Sequence, residues 1–186
     1  MFKDKNIVIG MTGGIACYKI CELIRVLKRE GANVNVIMTL NSTKFITPLT
    51  IETLSNNKVV IDSFERNDKY EVEHISLAKK GNVFLIAPAT ANIIGKVANG
   101  IADDMLSTTI MATKSKVVFA PAMNDAMYEN KIVQENIKKL KKYGYDFVDP
   151  DIGSLACGYK AIGKLANNEK IVAYLSTLFM GGKQWK

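Results

Sequence analysis

Short apolar runs alternate with longer stretches of helical spacing along most of the chain. NIVIG at 6–10 is apolar and closes on glycine. Behind it, Ile15, Ile20, Leu23, Ile24 and Leu27 recur at roughly helical intervals, and the stretch ends in basic residues and Gly31. This pattern predicts a helix over 15–29 with one buried face. NVNVIMT at 33–39 predicts a second strand. Pro48 opens a short helix, PLTIETLS, and KVVID at 58–62 predicts a further strand. FERNDKYEVE at 64–73 is dense in charge and predicts a surface loop. NVFLIAPA at 82–89 lacks a polar face beyond its first residue, as a strand covered on both sides requires. ANIIGKVANG and DDMLSTTIMAT predict helices, and KVVFAPA at 116–122 a strand. IVQENIKKLKKYG at 132–144 predicts an amphipathic helix that stops at lysines and glycine. YDFV at 145–148 is the last predicted strand. GSLACGYKAIGKL at 153–165 reads as a flexible loop, within about 150–165, and 168–179 as a closing helix. The tail GGKQWK is expected to fray.

Alternating strands and helices predict an α/β fold: a three-layer, doubly wound parallel sheet covered on both faces. Ligands of such sheets bind outside the carboxyl ends of the strands. The 186 residues suit one domain, 1–186, without repeat or linker.

Composition narrows the partners. Hydrophobic residues make up 48% and charged residues 23%, ordinary values for a soluble globular chain. No apolar run is long enough to cross a membrane, and the chain enters its first strand without a leader pattern. Three cysteines, an odd number, fit a reducing compartment better than a disulfide framework. The expectation is a cytoplasmic protein without a membrane partner. Net charge is +7. The lysines are dispersed and no aromatic-basic stacking motif accompanies them, which disfavours nucleic acid and favours a phosphorylated small molecule.

Four stretches can carry chemistry. In VIGMTGGIACYK, a strand runs into Gly13 and Gly14 and then a helix. Bare glycines admit a phosphate or flat ring, and a helix start favours anions. The spacing matches neither G-x-G-x-x-G nor a P-loop. The next strand ends at Thr39, where a dinucleotide site would often hold an acid, so a mononucleotide fits better. A plain strand-to-helix turn is the alternative. In LIAPATANIIGK, the Thr90, Ala91 and Asn92 segment can offer donors to a phosphate or ring edge, or simply cap a helix. In FAPAMN, the Asn124 amide can hold a carboxylate or cap the following segment. In EVEHISLAK, His74 is the chain's one histidine, suited by pKa to proton transfer but more often structural in such a setting. Cys17 and Cys21 share a helix face and read as small core residues, whereas Cys157 has no core pattern around it. Nothing has the spacing of a metal site.

GGIACYK, HISLAK, PATAN, APAMN and LACG, in this order, resemble the flavin-dependent cysteine decarboxylases. The resemblance runs from about Lys5 to about Leu175. It is strongest to the branch that converts 4′-phosphopantothenoyl-cysteine to 4′-phosphopantetheine in coenzyme A biosynthesis. It implies a Rossmann/flavodoxin-like flavoprotein fold, FMN as cofactor, and homotrimers with the flavin at subunit interfaces, in some members assembled into dodecamers. It implies catalytic roles for His74, Asn124 and Cys157. It places FMN at Gly13, Gly14, Ile15, Thr39, Pro88, Ala89, Thr90, Ala91 and Asn92. Substrate is implied at Ala122, Met123, Asn124, Ala156, Gly158 and Lys160. Departures are Cys17 where alanine is usual, PATANI for PASANT, Asp104 for an asparagine, and no aspartate after ACG.

The implied chemistry explains the residues. A simple amino-acid carboxylate resists loss of carbon dioxide because the carbanion left behind is not stabilised. Oxidising the thiol first, with hydride passing to flavin, gives a thioaldehyde into which the carboxylate electrons can flow. His74 would handle protons, Asn124 would orient the carboxylate, and Cys157 would protonate the ene-thiolate for hydride return. A loop that closes over substrate would bring that thiol in and keep water out. Rival readings are a peptidyl-cysteine decarboxylase, which lacks the loop cysteine, a prenyl-flavin synthase, and a non-catalytic flavin-binding regulatory subunit.

Overall fold

The structure is a computed structural model that describes residues 1–62 and 73–180. A five-stranded parallel sheet has the order β2-β1-β3-β4-β5. Its strands are β1 (Asn6–Met11), β2 (Asn33–Met38), β3 (Val83–Ala89), β4 (Lys116–Pro121) and β5 (Asp146–Phe147). The helices are α1 (Cys17–Arg29), α2 (Pro48–Ser55), α3 (Glu73–Lys80), α4 (Ala91–Ala98), α5 (Met105–Ala112), α6 (Asp125–Glu129), α7 (Lys131–Lys142) and α8 (Asn168–Met180). A 3₁₀ turn spans Ser42–Lys44.

Alternation along the strands builds two cores. Ile7, Ile9 and Met11 of β1 face one side with Val34, Val36, Leu85 and Val118, packed under α1, α2 and α8. Val8, Phe84, Ile86, Val117 and Phe119 face the other, packed under α3, α4, α5 and α7. Side chains at successive strand positions point to opposite faces, so a sheet covered twice needs strands without a polar side. All of β3 is buried for this reason. This is the expected three-layer arrangement.

The strand order reverses beside β1: β2 lies on one side and β3 on the other. Crevices form at such switch points. Here the two carboxyl ends are tied together by Thr12. Its hydroxyl donates to the Pro88 carbonyl at 2.5 Å and accepts from the Thr90 N–H at 3.1 Å.

Three expectations are corrected. KVVID forms no strand; only Val60 bridges to Ile37, because the segment leaves the sheet edge after one residue. His74 lies on a helix, α3, that the sequence did not announce. The stretch 153–165 is not an open loop but an antiparallel hairpin of β6 (Asp151–Ser154) and β7 (Lys160–Lys164). It is tied to the loop before α6 by a hydrogen bond from the Met123 N–H to the Gly163 carbonyl at 3.0 Å. Most of FERNDKYEVE, and the GGKQWK tail, lie outside the described residues. Among the described residues, no helix is long and apolar enough to cross a membrane.

Candidate active site

Two cavities open at the carboxyl ends of β1, β3 and β4 and share the walls Gly13, Thr90, Ala91 and Met127. The first, about 430 Å³, lies between the Gly13-Gly14 turn and the hairpin. Asn124 and Cys157 both line it. The second, about 630 Å³, lies toward β2 and is lined by Thr39, Asn41, Asn92, Lys96 and Asp104 among others.

Gly13 has no room for a side chain, since a Cβ would run into Asn41. Gly14 instead faces open space, with Thr90 and Pro88 the nearest atoms at 3.8 and 4.0 Å from a notional Cβ. A flat group can therefore approach the backbone at the turn into α1, and a helix start favours an anionic group. Thr39 contributes a hydroxyl that is buried and has no hydrogen-bond partner among the described residues. Buried polar groups are nearly always paired, so an orphan on a cavity wall is a place prepared for a ligand atom. Thr90 caps α4 through its hydroxyl, which accepts from the Ile93 N–H at 3.5 Å, and it lines both cavities. The cap reading of PATAN is therefore seen, and the same residue stands on both cavity walls. Pro88 and Ala89 are buried in β3 behind the wall; they position Thr90 rather than face the cavities.

Lys96 closes the floor of the second cavity. It bonds Asp103 at 2.6 Å and Asp104 at 2.7 Å. Burial alone would raise the Asp104 pKa, but the Lys96 ammonium and the Ser107 N–H outweigh it and hold the carboxyl below its ordinary range. Asp104 also caps α5 in a reciprocal pair with Ser107.

Asn124 caps the short α6: its Oδ1 accepts from the Ala126 N–H at 3.0 Å. Its Nδ2 donates to the Cys157 Sγ at 3.7 Å and to the Tyr159 hydroxyl at 3.0 Å. Two predicted residues that lie 33 positions apart thus meet across the first cavity. Ala122, Met123 and Ala156 line the same wall, whereas Gly158 and Lys160 do not. The correction follows from the hairpin: Gly158 is in its turn at φ +92°, and Lys160 begins the returning strand on the exposed side. Lys19 and Lys164 supply the cavity's cations instead, and neither has an ion pair among the described residues. Burial lowers the Lys19 pKa, with the nearby Lys164 charge acting in the same direction.

Sequence reasoning missed Tyr18, Lys19, Met127, Tyr159 and Lys164. For Met127 a signal existed, three residues after Asn124 on one helical turn. His74 is not brought to either cavity. Its helix packs against the second core, and its Nδ1 is buried without a hydrogen-bond partner among the described residues. Cys17 is buried, its thiol donating to the Thr12 carbonyl at 3.2 Å, and burial raises its pKa, so it is a neutral core residue. No metal-binding cluster occurs among the described residues.

Comparison with known proteins matches this arrangement. The chain is 50% identical over 179 residues to the coenzyme A biosynthesis bifunctional protein CoaBC of Borreliella burgdorferi, covering 96% of this chain and 46% of that protein. It spans about half the length of such relatives. It is 42% identical over 170 residues to a Streptococcus mutans protein named probable phosphopantothenoylcysteine decarboxylase, covering 90% of this chain and 95% of that one. Among solved structures, a Cys→Ser variant of PPC decarboxylase complexed with pantothenoylaminoethenethiol superposes with a TM-score of 0.86 at 25% identity, covering 96% of this chain and all of that one. The FMN-dependent cysteine decarboxylase SpaF superposes with a TM-score of 0.84 at 25% identity, covering 97% of this chain and 100% of that one. The family model named Flavoprotein matches residues 1–180, and the chain belongs to that flavoprotein family.

Proposed function

We propose that the protein is an FMN-dependent decarboxylase of 4′-phosphopantothenoyl-cysteine, yielding 4′-phosphopantetheine for coenzyme A biosynthesis. One observation carries the reading: an amide and a thiol, Asn124 and Cys157, meet at 3.7 Å on the wall of a cavity that begins at a bare glycine turn. The full-length likeness to the Streptococcus mutans relative supports the substrate. So do Lys19 and Lys164 on the cavity wall, which make no ion pair among the described residues and suit a phosphorylated ligand.

The residues fit FMN. Gly13, Gly14 and Ile15 would hold it against the start of α1, and the orphan Thr39 hydroxyl and the Thr90–Asn92 segment would meet its polar edges. When bound, FMN supplies a reversible hydride acceptor. Asn124 would hold the substrate carboxylate with an N–H. The hairpin would keep water from the reacting carbon, and the Cys157 thiol would deliver a proton there after carbon dioxide has left. The ene-thiol in the name of the neighbouring Cys→Ser complex is the species such a proton would resolve. Cys157 also argues against the peptidyl-cysteine alternative, whose product stays oxidised.

His74 would act from a second copy of the chain. The active form is a homotrimer, or a multiple such as a dodecamer, in which a neighbour's α3 completes the site. Exposed apolar residues on the cavity side, Ile15, Tyr18, Leu40, Phe45 and Leu49, support such a contact. The protein would work in the cytoplasm. Protein reconstituted with FMN, given 4′-phosphopantothenoyl-cysteine, is expected to yield 4′-phosphopantetheine by mass spectrometry. Unchanged substrate rejects the reading.

A further inference from the structure

Tyr159 takes part in a chain of hydrogen bonds whose direction is fully determined. Its hydroxyl lies 2.6 Å from the Asp125 Oδ1 and 3.0 Å from the Asn124 Nδ2. A carboxylate only accepts, so the one hydroxyl proton goes to Asp125. Toward Asn124 the hydroxyl oxygen can then only accept. Asn124 is held at its other end too, because its Oδ1 accepts from the Ala126 N–H at 3.0 Å. Turning the amide over would set donor against donor at the Ala126 N–H and acceptor against acceptor at the Tyr159 oxygen. One N–H of Nδ2 is committed to Tyr159; the other lies toward Cys157 at 3.7 Å. A thiol is a weak acceptor, so that N–H is the one a carboxylate entering the cavity would claim.

The pairing also shows in acidity. The hydrogen bond from Tyr159 is the main cause of a lowered Asp125 pKa, and the same bond raises that of Tyr159. Tyr159 sits at the hairpin turn, its carbonyl accepting from the Leu155 N–H at 2.9 Å. The network therefore joins the turn that carries Cys157 to the helix that Asn124 caps.

We propose that Tyr159, held by Asp125, is a positioning residue that fixes the Asn124 amide so that its remaining N–H meets the substrate carboxylate beside Cys157. The proposal rests on the decarboxylase reading for its ligand, but its geometry can be tested without one.

Two measurements decide it. The first is the affinity of wild type and Tyr159→Phe, both loaded with FMN, for two non-reacting ligands. One is 4′-phosphopantothenoyl-serine, which keeps the carboxylate and lacks the oxidisable thiol. The other is 4′-phosphopantetheine, which has no carboxylate. The expected result is binding of the serine compound weakened about tenfold in Tyr159→Phe, with 4′-phosphopantetheine changed less than about twofold. Equal weakening of both ligands, or of neither, overturns the proposal. Asp125→Asn, which keeps an acceptor for the hydroxyl, is expected to stay close to wild type. Asp125→Ala should match Tyr159→Phe, and the double variant Asp125→Ala/Tyr159→Phe should be no worse than either; additive losses count against a single chain of action. The second measurement is a crystal structure of Tyr159→Phe without substrate. There the Asn124 amide should have left Cys157 or taken two orientations, and an unchanged Asn124–Cys157 contact refutes the proposal. If wild type binds neither ligand, the decarboxylase reading fails, while the crystal structure still decides the role of Tyr159.

Discussion

Cys157 is exposed, and its polar neighbour is the Asn124 amide rather than a base that would strip its proton. In the proposed mechanism this thiol serves a late step. Cys157→Ser replaces a group of free pKa about 8.5 by a far weaker acid. The variant is expected to take up substrate and release carbon dioxide, then stall. Its product should be an ene-thiol two hydrogens lighter than 4′-phosphopantetheine, with the flavin bleached under anaerobic conditions; ordinary product at the normal rate would remove Cys157 from the chemistry. Asn124→Asp sets a second carboxylate against the substrate's own and should lower kcat/KM by about 100-fold or more, read by initial rates. The sequence made Asn124 and Cys157 visible because each stands in a short run of unusual composition, APAMN and LACG. Tyr159 and Asp125 stayed invisible because they act across 34 positions, through a contact no local pattern encodes.

The hairpin and the Asp104 cap are the elements on which the site depends. Gly163 sits at φ +120°, and a Cβ there would strike the Met123 carbonyl oxygen. Gly163→Ala should add about 1–3 kcal/mol of backbone strain, relieved by the hairpin swinging off the loop before α6. We expect KM to rise and trypsin to cut faster at Lys160 or Lys164, while the melting temperature of the sheet changes little; unchanged proteolysis would mean the hairpin is not held there. Asp104→Ala removes a helix cap and should cost about 1 kcal/mol in urea unfolding at neutral pH. The folded-state pKa of Asp104 is depressed, so its contribution is fully present above the unfolded value of about 3.9 and is lost as pH falls through the folded one. The gap between wild type and variant should therefore close in acid. Long apolar strands and the amphipathic α1 and α7 were legible from periodicity alone. The hairpin was not, because strands of four and five residues rich in glycine carry almost no alternation. Nor was α3, since only Leu77 and Ala78 of its eight residues are buried.

At the scale of the whole molecule, a single chain leaves His74 away from Asn124 and Cys157, and the proposed trimer makes a definite forecast. Co-expressing His74→Asn with Asn124→Asp chains should restore activity that neither variant has alone, at about a quarter of the sites for random assembly of two-subunit sites. Mixtures as dead as their parents would mean that each site is built from one chain. Heat-released cofactor should migrate as FMN in chromatography, because Thr39 stands where an adenine dinucleotide would want an acid. Finally, Phe2 lies before β1, and its ring meets that of Phe179 near the end of α8 edge-on at 5.8 Å. Both ends of the described chain therefore gather at the amino edge of the sheet, and the cavities open at the opposite edge. A label, tether or bulky cargo joined at Met1 or after Met180 would hang from the back of the molecule, and a surface-immobilised preparation should turn over substrate as fast as one free in solution.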